Sequence, residues 1–402
     1  MRGLVLATLV LLASACQLRE LEVLSSGPDG GLRDAGGRDA FVPPVDGGPP
    51  SLPPGALVAA TYGHTCAIYG SALVCWGNNG RGQLTSGTPS GATPTIVPLE
   101  TAPVSVALGA RSTCVLDAVG DVRCVGANDR GQLGLGDRTD RDAFERLDLP
   151  AAQEITTGDT HACALLADAR LLCWGRNDEG ELGLGIPDLD DQPTPREVVT
   201  GNAWARVSAG QGHTLAVTVQ GLMVGFGRNS DSELGLGPSA PIQRRTPTQV
   251  GDGTWRDVAA GQSHSCALSS TNEVHCFGSN SSAQLGLADF ADRDVPTPLG
   301  LPDTDVVATN TFHGCAIRLG ELHCWGRNVE GQLGTGDVED RPSPTRIGTD
   351  TDWTHVACGR FYTCARKRDG RVLCTGANES GQLGVGDFER RRVFTEIAFG
   401  AE

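Results

Sequence analysis

Short apolar segments alternate with glycine-rich polar turns along most of the chain, and one arrangement of them recurs. Its clearest copy, CALLADARLLCWGRNDEGELGLG, extends from Cys163 to Gly185. Two apolar segments, CALL and LLCW, are separated by four residues and followed by a polar loop and a leucine-glycine pair. This spacing predicts two short strands joined by a tight turn, which is a β-hairpin.

The hairpin occurs seven times at an almost constant interval. The leucines that close the copies are 49, 49, 52, 51, 48 and 50 residues apart. They are Leu84, Leu133, Leu182, Leu234, Leu285, Leu333 and Leu383. Repeats of this length, with short strands and glycine turns, are typical of a β-propeller with one blade per repeat. The sequence therefore predicts an all-β, seven-bladed β-propeller over residues 55–402.

Three further features accompany each hairpin. A segment that resembles W-x-x-V-x-x-G precedes it, as in Trp204 to Gly210, and predicts the innermost strand of a blade. An aromatic or apolar residue plus glycine, such as Trp174-Gly175, ends the hairpin in six copies. An asparagine follows two residues after that glycine in all seven. We interpret the asparagine as a turn residue, and a ring of seven ligands is the alternative.

These features resemble the repeats of the regulator of chromosome condensation family over roughly residues 55–398. The resemblance implies a seven-bladed propeller, in agreement with the repeat count. The last apolar segment, Arg392 to Ile397, is typical of an outer strand with no hairpin after it. We predict that it pairs into the blade that begins near Ala56 and so closes the ring.

Twelve of the fourteen cysteines form pairs within the hairpins, nine or ten residues apart. The pairs are Cys66 with Cys75, Cys114 with Cys124, Cys163 with Cys173, Cys266 with Cys276, Cys315 with Cys324 and Cys364 with Cys374. Both spacings can place the two residues opposite each other, so an oxidising compartment would give each hairpin a cross-strand disulfide. In the fourth repeat Leu215 and Gly225 replace both cysteines together, as bonded partners would be replaced.

Two alternatives remain for the paired cysteines. They could be reduced core residues, or zinc ligands, although zinc sites need clustered ligands, four to each ion. Cys358 occupies the position of Ala209 and Ala260, which predicts a buried, unreactive thiol. We predict no metal site and no cofactor.

The N-terminus has the features of an export signal. After Met1-Arg2, the apolar run from Leu4 to Ala13 is too short to cross a bilayer but fits a signal peptide, predicted over residues 1–15. The following residues resemble a bacterial lipobox, which would make Cys16 the lipidated first residue. Ordinary signal cleavage is the alternative. Residues 16–54 are rich in glycine, proline and aspartate and predict a disordered tether.

Charge and missing motifs narrow the function. With 32 basic and 48 acidic residues the net charge is −16, which disfavours nucleic-acid binding. The hydrolase, zinc-protease and phosphate-loop motifs are absent, so we predict no catalytic residues and no enzyme activity. A calcium site among Asp188, Asp190 and Asp191 is a remote alternative.

Histidine is the remaining candidate for chemistry. Five histidines lie two positions before the first hairpin cysteine or its equivalent. They are His64, His161, His213, His264 and His313, whereas Ser112 and Tyr362 fill this position in the other repeats. We interpret them as structural, each bonding backbone beside its own strand. A metal ring or a proton-transfer site is the alternative.

The function predicted from these features is an exported, lipid-anchored propeller that binds a protein or a glycan at the cell envelope. It would be a monomer that meets the membrane only through its lipid, at the outer membrane or cell surface; otherwise it would be secreted. The variable segments at 137–150 and 186–202 would supply specificity. The family includes an exported bacterial inhibitor of β-lactamases. The alternatives are guanine-nucleotide exchange, by family resemblance, and a lyase or hydrolase using the central opening.

The cysteine pattern makes a direct prediction. Under non-reducing conditions the mature protein should contain six disulfides and one free thiol, at Cys358, because the other unpaired cysteine carries the lipid. Thiol labelling after denaturation, followed by mass spectrometry, measures this. Labelling of most of the twelve paired cysteines would contradict both the disulfides and the export.

Overall fold

The computed structural model describes residues 58–185, 189–199 and 201–398, and the backbone of two short strands nearer the N-terminus. The chain divides into two compact units, Met1–Pro49 and Pro50–Glu402. In the first unit β1 (Ser25–Ser26) pairs antiparallel with β2 (Leu32–Arg33), inside the predicted tether. The predicted signal peptide, Cys16 and the rest of the tether lie outside the described residues.

The second unit contains seven four-stranded antiparallel sheets, each one blade of a propeller. Blades 1 to 4 consist of β3 (Val58–Ala60), β4 (His64–Tyr69), β5 (Ala72–Gly77), β6 (Gly91–Val97); β7 (Pro103–Leu108), β8 (Ser112–Asp117), β9 (Val122–Gly126), β10 (Arg141–Arg146); β11 (Ala152–Thr157), β12 (His161–Leu166), β13 (Leu171–Gly175), β14 (Gln192–Glu197); and β15 (Trp204–Ala209), β16 (His213–Thr218), β17 (Met223–Arg228), β18 (Gln243–Gln249). Blades 5 to 7 consist of β19 (Trp255–Ala260), β20 (His264–Ser269), β21 (Val274–Gly278), β22 (Arg293–Pro298); β23 (Thr304–Thr309), β24 (His313–Arg318), β25 (Glu321–Gly326), β26 (Arg341–Arg346); and β27 (Trp353–Cys358), β28 (Tyr362–Lys367), β29 (Val372–Gly376), β30 (Arg391–Glu396). The predicted seven-bladed propeller is confirmed.

The first strand of each blade lies innermost, where it contacts the first strands of both neighbouring blades around the complete ring. The W-x-x-V-x-x-G segments form these strands, as β15 shows. The apolar core is divided in the same way. It consists of seven clusters, and each cluster joins two adjacent blades. The core therefore lies between blades, so no blade buries its apolar surface without a neighbour.

The predicted closure of the ring by the last strand is wrong. Strand β30 pairs with β29 in its own blade, with Cys374 opposite Thr395. Blade 1 already has four strands of its own, β3 to β6, so no place remains in it for a strand from the C-terminus. The ring closes by packing of blade 7 against blade 1. The buried Tyr362 hydroxyl donates to the carbonyl of His64 at 2.7 Å and accepts from the amide of Thr61 at 3.1 Å.

The hairpin of the sixth repeat turns at Leu319-Gly320. Both residues have positive φ angles, 51° and 78°, and join Arg318 directly to Glu321 across the hairpin. Two positive φ angles in succession give the turn a twist that matches the strands on either side.

All six predicted cysteine pairs lie directly opposite each other in the second and third strands of their blades. The structure joins each pair as a disulfide, with Cα atoms 4.1 Å apart. The bonds join Cys66 to Cys75, Cys114 to Cys124, Cys163 to Cys173, Cys266 to Cys276, Cys315 to Cys324 and Cys364 to Cys374. The pairing therefore agrees with the prediction in every blade that has two hairpin cysteines.

Blade 4, which lacks the cysteines, keeps the same register. Leu215 is opposite Gly225, in the positions that the bonded cysteines take in the other blades. A Cβ atom on Gly225 would lie 3.1 Å from Leu215 Cδ2, so the leucine fills the volume that a disulfide takes elsewhere.

The variable segments expected to act as binding loops contain strands. The segment 137–150 includes β10 and the segment 186–202 includes β14, each the outermost strand of its blade. Each segment therefore crosses the blade edge, and its ends lie at opposite faces of the ring. Among the described residues no helix is long and apolar enough to cross a membrane.

Blade 4 supplies a prediction about this register. The double variant Leu215→Cys/Gly225→Cys should form a seventh disulfide, because its positions match the six existing pairs. The bond should add at most about 3 kcal/mol. Loss of the leucine should remove about 2–5 kcal/mol, so oxidised variant and wild type should unfold at similar denaturant concentrations.

Non-reducing peptide mapping measures the new bond, and unfolding in urea measures stability. The reduced double variant, alkylated at the two introduced cysteines, is the control and should be clearly less stable. Two free thiols at 215 and 225 in otherwise oxidised protein would contradict the register.

Candidate functional site

The seven asparagines are turn residues, as interpreted. Each side-chain oxygen accepts from the amide of the residue five positions later, as Asn128 does from Leu133 at 2.9 Å. The Asn128 amide group donates to the carbonyl of Asp137 at 3.1 Å. These contacts engage the side chain within its own loop, as a turn residue requires.

The histidines are structural, but their partners differ from those predicted. Each lies at the start of the second strand and contacts the next blade, whereas a bond to its own backbone was expected. His161 Nε2 lies 2.9 Å from Thr214 Oγ1, and that hydroxyl is 2.8 Å from the carbonyl of Glu181. Because the hydroxyl donates to the carbonyl, His161 donates to the hydroxyl. The chain of two hydrogen bonds ties blade 3 to blade 4.

Other junctions repeat this arrangement. His64 meets Thr113 at 3.2 Å, His213 meets Ser265 at 2.9 Å and His313 meets Thr363 at 2.7 Å. His264 bonds Thr309 because the usual hydroxyl position is Gly314. At the junction of blades 2 and 3 both partners are missing, with Ser112 and Ala162 in their places. This paired loss agrees with a structural contact and gives no support to a ring of ligands.

Burial lowers the pKa of all five histidines to about 3. They are therefore neutral near pH 7, and the proton-transfer alternative loses its support. Since the folded pKa is below the ordinary value of about 6.5, their contribution to stability is complete above that pH. This contribution is lost as the pH falls from about 6.5 toward 3, because protonation of the histidines then favours the unfolded chain.

The carbonyl at the glutamine or glutamate before each repeat leucine always receives a donor from the next blade. Where a tryptophan ends the third strand it donates from Nε1, as Trp174 does to the carbonyl of Gln132 at 3.0 Å. In blade 6, Trp325 donates in the same way to the carbonyl of Gln284 in blade 5. The facing Gly314 leaves room for the indole ring. Elsewhere a threonine or serine hydroxyl donates to this carbonyl. Trp76 and Thr65 both reach Gln382, at 2.8 Å.

The repeats also differ beside the axis. The loops between the first and second strands, which we call the axial loops, are residues 61–63, 109–111, 158–160, 210–212, 261–263, 310–312 and 359–361. Neighbouring axial loops are hydrogen-bonded, for example from the amide of Arg360 to the carbonyl of Thr61 at 3.0 Å. The end of the ring that carries them is called the loop face. It also carries the segments between the third and fourth strands.

Side chains from non-adjacent blades meet across the axis at the loop face. Tyr62 of blade 1 donates to Asp159 of blade 3 at 2.7 Å, and Gln211 of blade 4 donates to the same oxygen at 3.0 Å. Arg228 in turn donates to Gln211 at 3.2 Å. Burial raises the pKa values of Asp159 and Tyr62. This network closes the axial opening at the loop face, and a small cavity of about 40 Å³ lies among the surrounding loops.

A stack of arginine and aromatic side chains continues from blade 6 to blade 1. Arg327 lies over the Phe312 ring at 5.0 Å, and Phe312 stacks on Phe361 with centroids 5.3 Å apart. Arg360 lies 5.2 Å from the Phe361 centroid and 5.3 Å from the Tyr62 centroid. We call these five residues the aromatic–arginine stack. Stacks of this kind hold guanidinium groups in fixed positions with their edges free to donate hydrogen bonds.

A cleft of about 780 Å³ continues from the end of this stack across blades 1 to 3. Tyr62, Arg360, Arg111, Asp129 and Asp159 line it together with small and polar residues. Two of the positions that flank it carry small residues. Gly63 and Ala127 stand where blade 6 has Phe312 and Arg327.

Three other acidic groups of the described residues, Asp191, Glu154 and Asp257, lie outside the cleft. Asp191 contacts Arg130 at 3.3 Å and Arg138 at 3.7 Å, while Asp188 lies outside the described residues. Burial raises the pKa of Glu154 to about 7 and also raises that of Asp257, both on innermost strands, and nearby Arg206 opposes the shift. Neither residue lines the cleft.

Cys358 is a buried free thiol, and burial raises its pKa. It lies with His313 and Cys315 in a group whose possible ligand atoms are within 4.8 Å of one another. Cys315 is bonded to Cys324, so its sulfur is not available as a thiolate while that disulfide is intact.

The sequence did not point to the axial loops, because the differences considered were those in the segments between hairpins. The axial loops lie inside the repeated unit. Between the inner strand and the histidine position the chain has Tyr62-Gly63, Ala110-Arg111, Asp159-Thr160, Gln211-Gly212, Gln262-Ser263, Thr311-Phe312 and Arg360-Phe361. Alignment of the seven copies would have shown that these two positions differ while their neighbours are nearly constant.

The fold and the loop face define a β-propeller of the regulator of chromosome condensation class. The model of the RCC1-like domain matches residues 40–352, and that of the regulator of chromosome condensation repeat matches residues 353–382. The chain therefore belongs to the RCC1-like domain family, as its repeats predict.

Curated relatives and solved structures agree with this assignment. The chain is 31% identical to the ultraviolet-B receptor UVR8 of Arabidopsis thaliana, over 55% of this chain and 52% of the receptor. It is 34% identical to human protein RCC2 over 26% of this chain and 18% of RCC2, so it spans about half or less of these relatives. Yeast RCC1 (Prp20), solved with Kap60, superposes with a TM-score of 0.74 at 22% identity, covering 85% of both chains. Human WBSCR16 gives 0.69 at 20% identity, over 77% of this chain and 84% of that protein.

The junction contacts generate a prediction. Thr214→Val should lower the free energy of unfolding by about 2–4 kcal/mol, because it leaves the His161 Nε2 donor and the Glu181 carbonyl without partners in a buried site. Urea unfolding measures the loss.

A second variant serves as control. His161→Ser/Thr214→Ala/Phe226→Trp copies the junction of blades 2 and 3, where a tryptophan supplies the donor, and should retain more stability than Thr214→Val. A loss below about 0.5 kcal/mol for Thr214→Val would show that the contact is not needed.

Proposed function

We propose that this chain is an exported, lipid-anchored binding module that holds a protein partner against the loop face of its propeller at the cell envelope. The observation that carries the proposal is the concentration of differences between repeats in the axial loops. All seven repeats preserve the asparagine turn contact and the hydrogen bond into the junction carbonyl. At the loop face the surface differs from blade to blade. Recognition of one partner requires such a surface without repeat symmetry.

The loop face also has suitable chemistry. Phe312, Phe361 and Tyr62 are partly exposed, and Arg327 and Arg360 lie between or beside their rings. Aromatic and arginine side chains are the types most enriched among energetically dominant interface residues. A glycan partner would use similar rings. The breadth of the surface, which extends from blade 6 to blade 3, favours a protein.

Export and the anchor rest on the sequence of residues 1–16 and on the cysteine pairs. Six disulfides are expected to persist only in an oxidising compartment. If thiol labelling finds one free thiol in the mature protein, that result will support a lipid on Cys16. A second free thiol would indicate ordinary signal cleavage.

The two alternative functions have less support. An enzyme in the central opening would need accessible acid–base groups there. On the loop face the axis is closed by Tyr62, Asp159 and Gln211, and the histidines are buried and neutral. Guanine-nucleotide exchange rests on family resemblance, and a nuclear GTPase would not meet an exported protein.

Capture from cell-envelope extract tests the proposal. The oxidised full chain should retain one partner protein, and Phe312→Ala/Phe361→Ala should retain roughly a tenth of it or less, because the stack would lose its centre. Quantitative mass spectrometry of the eluates measures retention.

The matched control removes two apolar side chains elsewhere. Ile96 and Val393 are 62% and 54% exposed on outermost strands, and Ile96→Ala/Val393→Ala should capture as wild type does. Equal capture by both double variants would contradict a site on the loop face. Chain found only in the cytoplasm, with reduced cysteines, would contradict export.

A further inference from the structure

The arginines of the loop face fall into two groups. Most have a carboxylate partner: Arg81 pairs with Asp140 at 2.9 Å, Arg130 with Asp191 at 3.3 Å and Arg390 with Glu330 at 3.0 Å. Arg111, Arg327 and Arg360 have no carboxylate partner among residues 58–185, 189–199 and 201–398. All three belong to the stack or the cleft. In a chain with 48 acidic and 32 basic residues, three such guanidinium groups on one surface are unexpected.

Comparison of equivalent blades shows how Arg327 is left free. An arginine follows the glycine that ends the third strand in blades 3, 4 and 6, at positions 176, 228 and 327. In blade 4 Arg228 lies 2.5 Å from the buried Glu233, and in blade 3 Arg176 lies 3.7 Å from the buried Glu181. In blade 6 the equivalent residue is Gln332, which is neutral.

Gln332 itself has an unused donor. Its side-chain oxygen accepts from the amide of Glu330 at 2.9 Å, as Glu233 accepts from Asp231 at 2.7 Å. Its Nε2 is buried and has no acceptor in the described part of the chain. Blade 6 therefore has two donors without an acidic partner, Arg327 and the buried amide of Gln332, at the positions where blade 4 has an internal ion pair. Instead of pairing with an acid, Arg327 stacks on Phe312.

Arg360 and Arg111 extend this surface into the cleft. Both are exposed and line it, and Arg360 is held between the rings of Phe361 and Tyr62. Two carboxylates also line the cleft, but each is already engaged. Asp159 accepts from Tyr62 and Gln211, and Asp129 accepts from Gln132 Nε2 at 3.1 Å. The donors without acceptors are thus the guanidinium groups.

We propose that the aromatic–arginine stack and the cleft bind an acidic peptide segment, with Arg111, Arg327 and Arg360 pairing with its Asp or Glu carboxylates. Planar guanidinium groups bind carboxylates through two parallel hydrogen bonds, and the rings between them contact the apolar parts of the segment. This inference deepens the proposed function and rests on it, because it names the chemistry of the partner. The net negative charge of the chain disfavours a nucleic acid, because its phosphate backbone would be longer than the bound segment and would extend beyond the three arginines.

Binding of a fluorescein-labelled oligoglutamate peptide to the oxidised full chain tests the inference by anisotropy. Oligoglutamine of equal length, a single-stranded DNA oligonucleotide and a sulfated oligosaccharide are the comparison probes. Oligoglutamate should bind more tightly than the other three. Arg111→Gln/Arg360→Gln should weaken it by about tenfold or more, as expected when charge-assisted hydrogen bonds are removed.

Two further variants separate the site from general charge. Gln332→Glu should weaken binding by roughly threefold to tenfold, since it supplies Arg327 with the internal partner that blades 3 and 4 already have. Its folding should be unchanged for the same reason. The control Arg196→Gln/Arg392→Gln removes two exposed arginines from outermost strands and should bind as wild type does.

Failure to bind oligoglutamate, tighter binding of DNA or the sulfated oligosaccharide, or equal losses in the two arginine double variants would each overturn the acidic-segment assignment. The capture experiment distinguishes this outcome from failure of the proposed function. If a partner is captured through Phe312 and Phe361 but remains bound to Arg111→Gln/Arg360→Gln and to Gln332→Glu, the binding module stands and the acidic segment does not.

Discussion

The hydrogen bond into one backbone carbonyl between each pair of blades is the contact on which the ring depends. That carbonyl belongs to the glutamine or glutamate before the repeat leucine, and its donor always comes from the next blade. The donor is a threonine, a serine or a tryptophan, and at four junctions a histidine of the preceding blade bonds the donor's hydroxyl. Each apolar cluster is shared between two blades. A blade displaced from this position would therefore expose apolar surface and leave buried polar groups without hydrogen-bond partners.

The closure of the ring obeys the same constraint. Blade 7 meets blade 1 through Tyr362 in the histidine position, and the longer side chain contacts both Thr61 and the carbonyl of His64. No strand is exchanged between the termini, so the junction between blades 7 and 1 has the same kind of contacts as the others. The disulfides act within blades, where they restrain the unfolded hairpins, and the junctions act between blades. These two sets of interactions leave the axial loops free to vary, which explains why function is expected there.

Much of the fold follows from local spacing. The repeat near fifty residues predicts the number of blades, the W-x-x-V-x-x-G segments predict the inner strands, and the asparagine position predicts a turn. All of these depend on contacts within one repeat or between consecutive ones. The prediction that the last strand closes the ring failed, because the first repeat already contains a complete set of four strands. The segments 137–150 and 186–202 contain the outermost strands β10 and β14, because a complete blade includes a fourth strand, and their binding role stays a prediction.

The amino-acid sequence by itself determined the class of fold, the number of blades, the opposed cysteine positions and the family, since each is carried by residue types at regular spacing. Only the tertiary structure decided which residues meet across the ring. Tyr62 and Asp159 are 97 positions apart, and Arg327, Phe361 and Tyr62 come from three blades. The geometry of closure brings them together, and no periodicity along the chain encodes it. The difference between Gln332 and Glu233 is visible in the sequence, but its meaning depends on the arginine that each one faces.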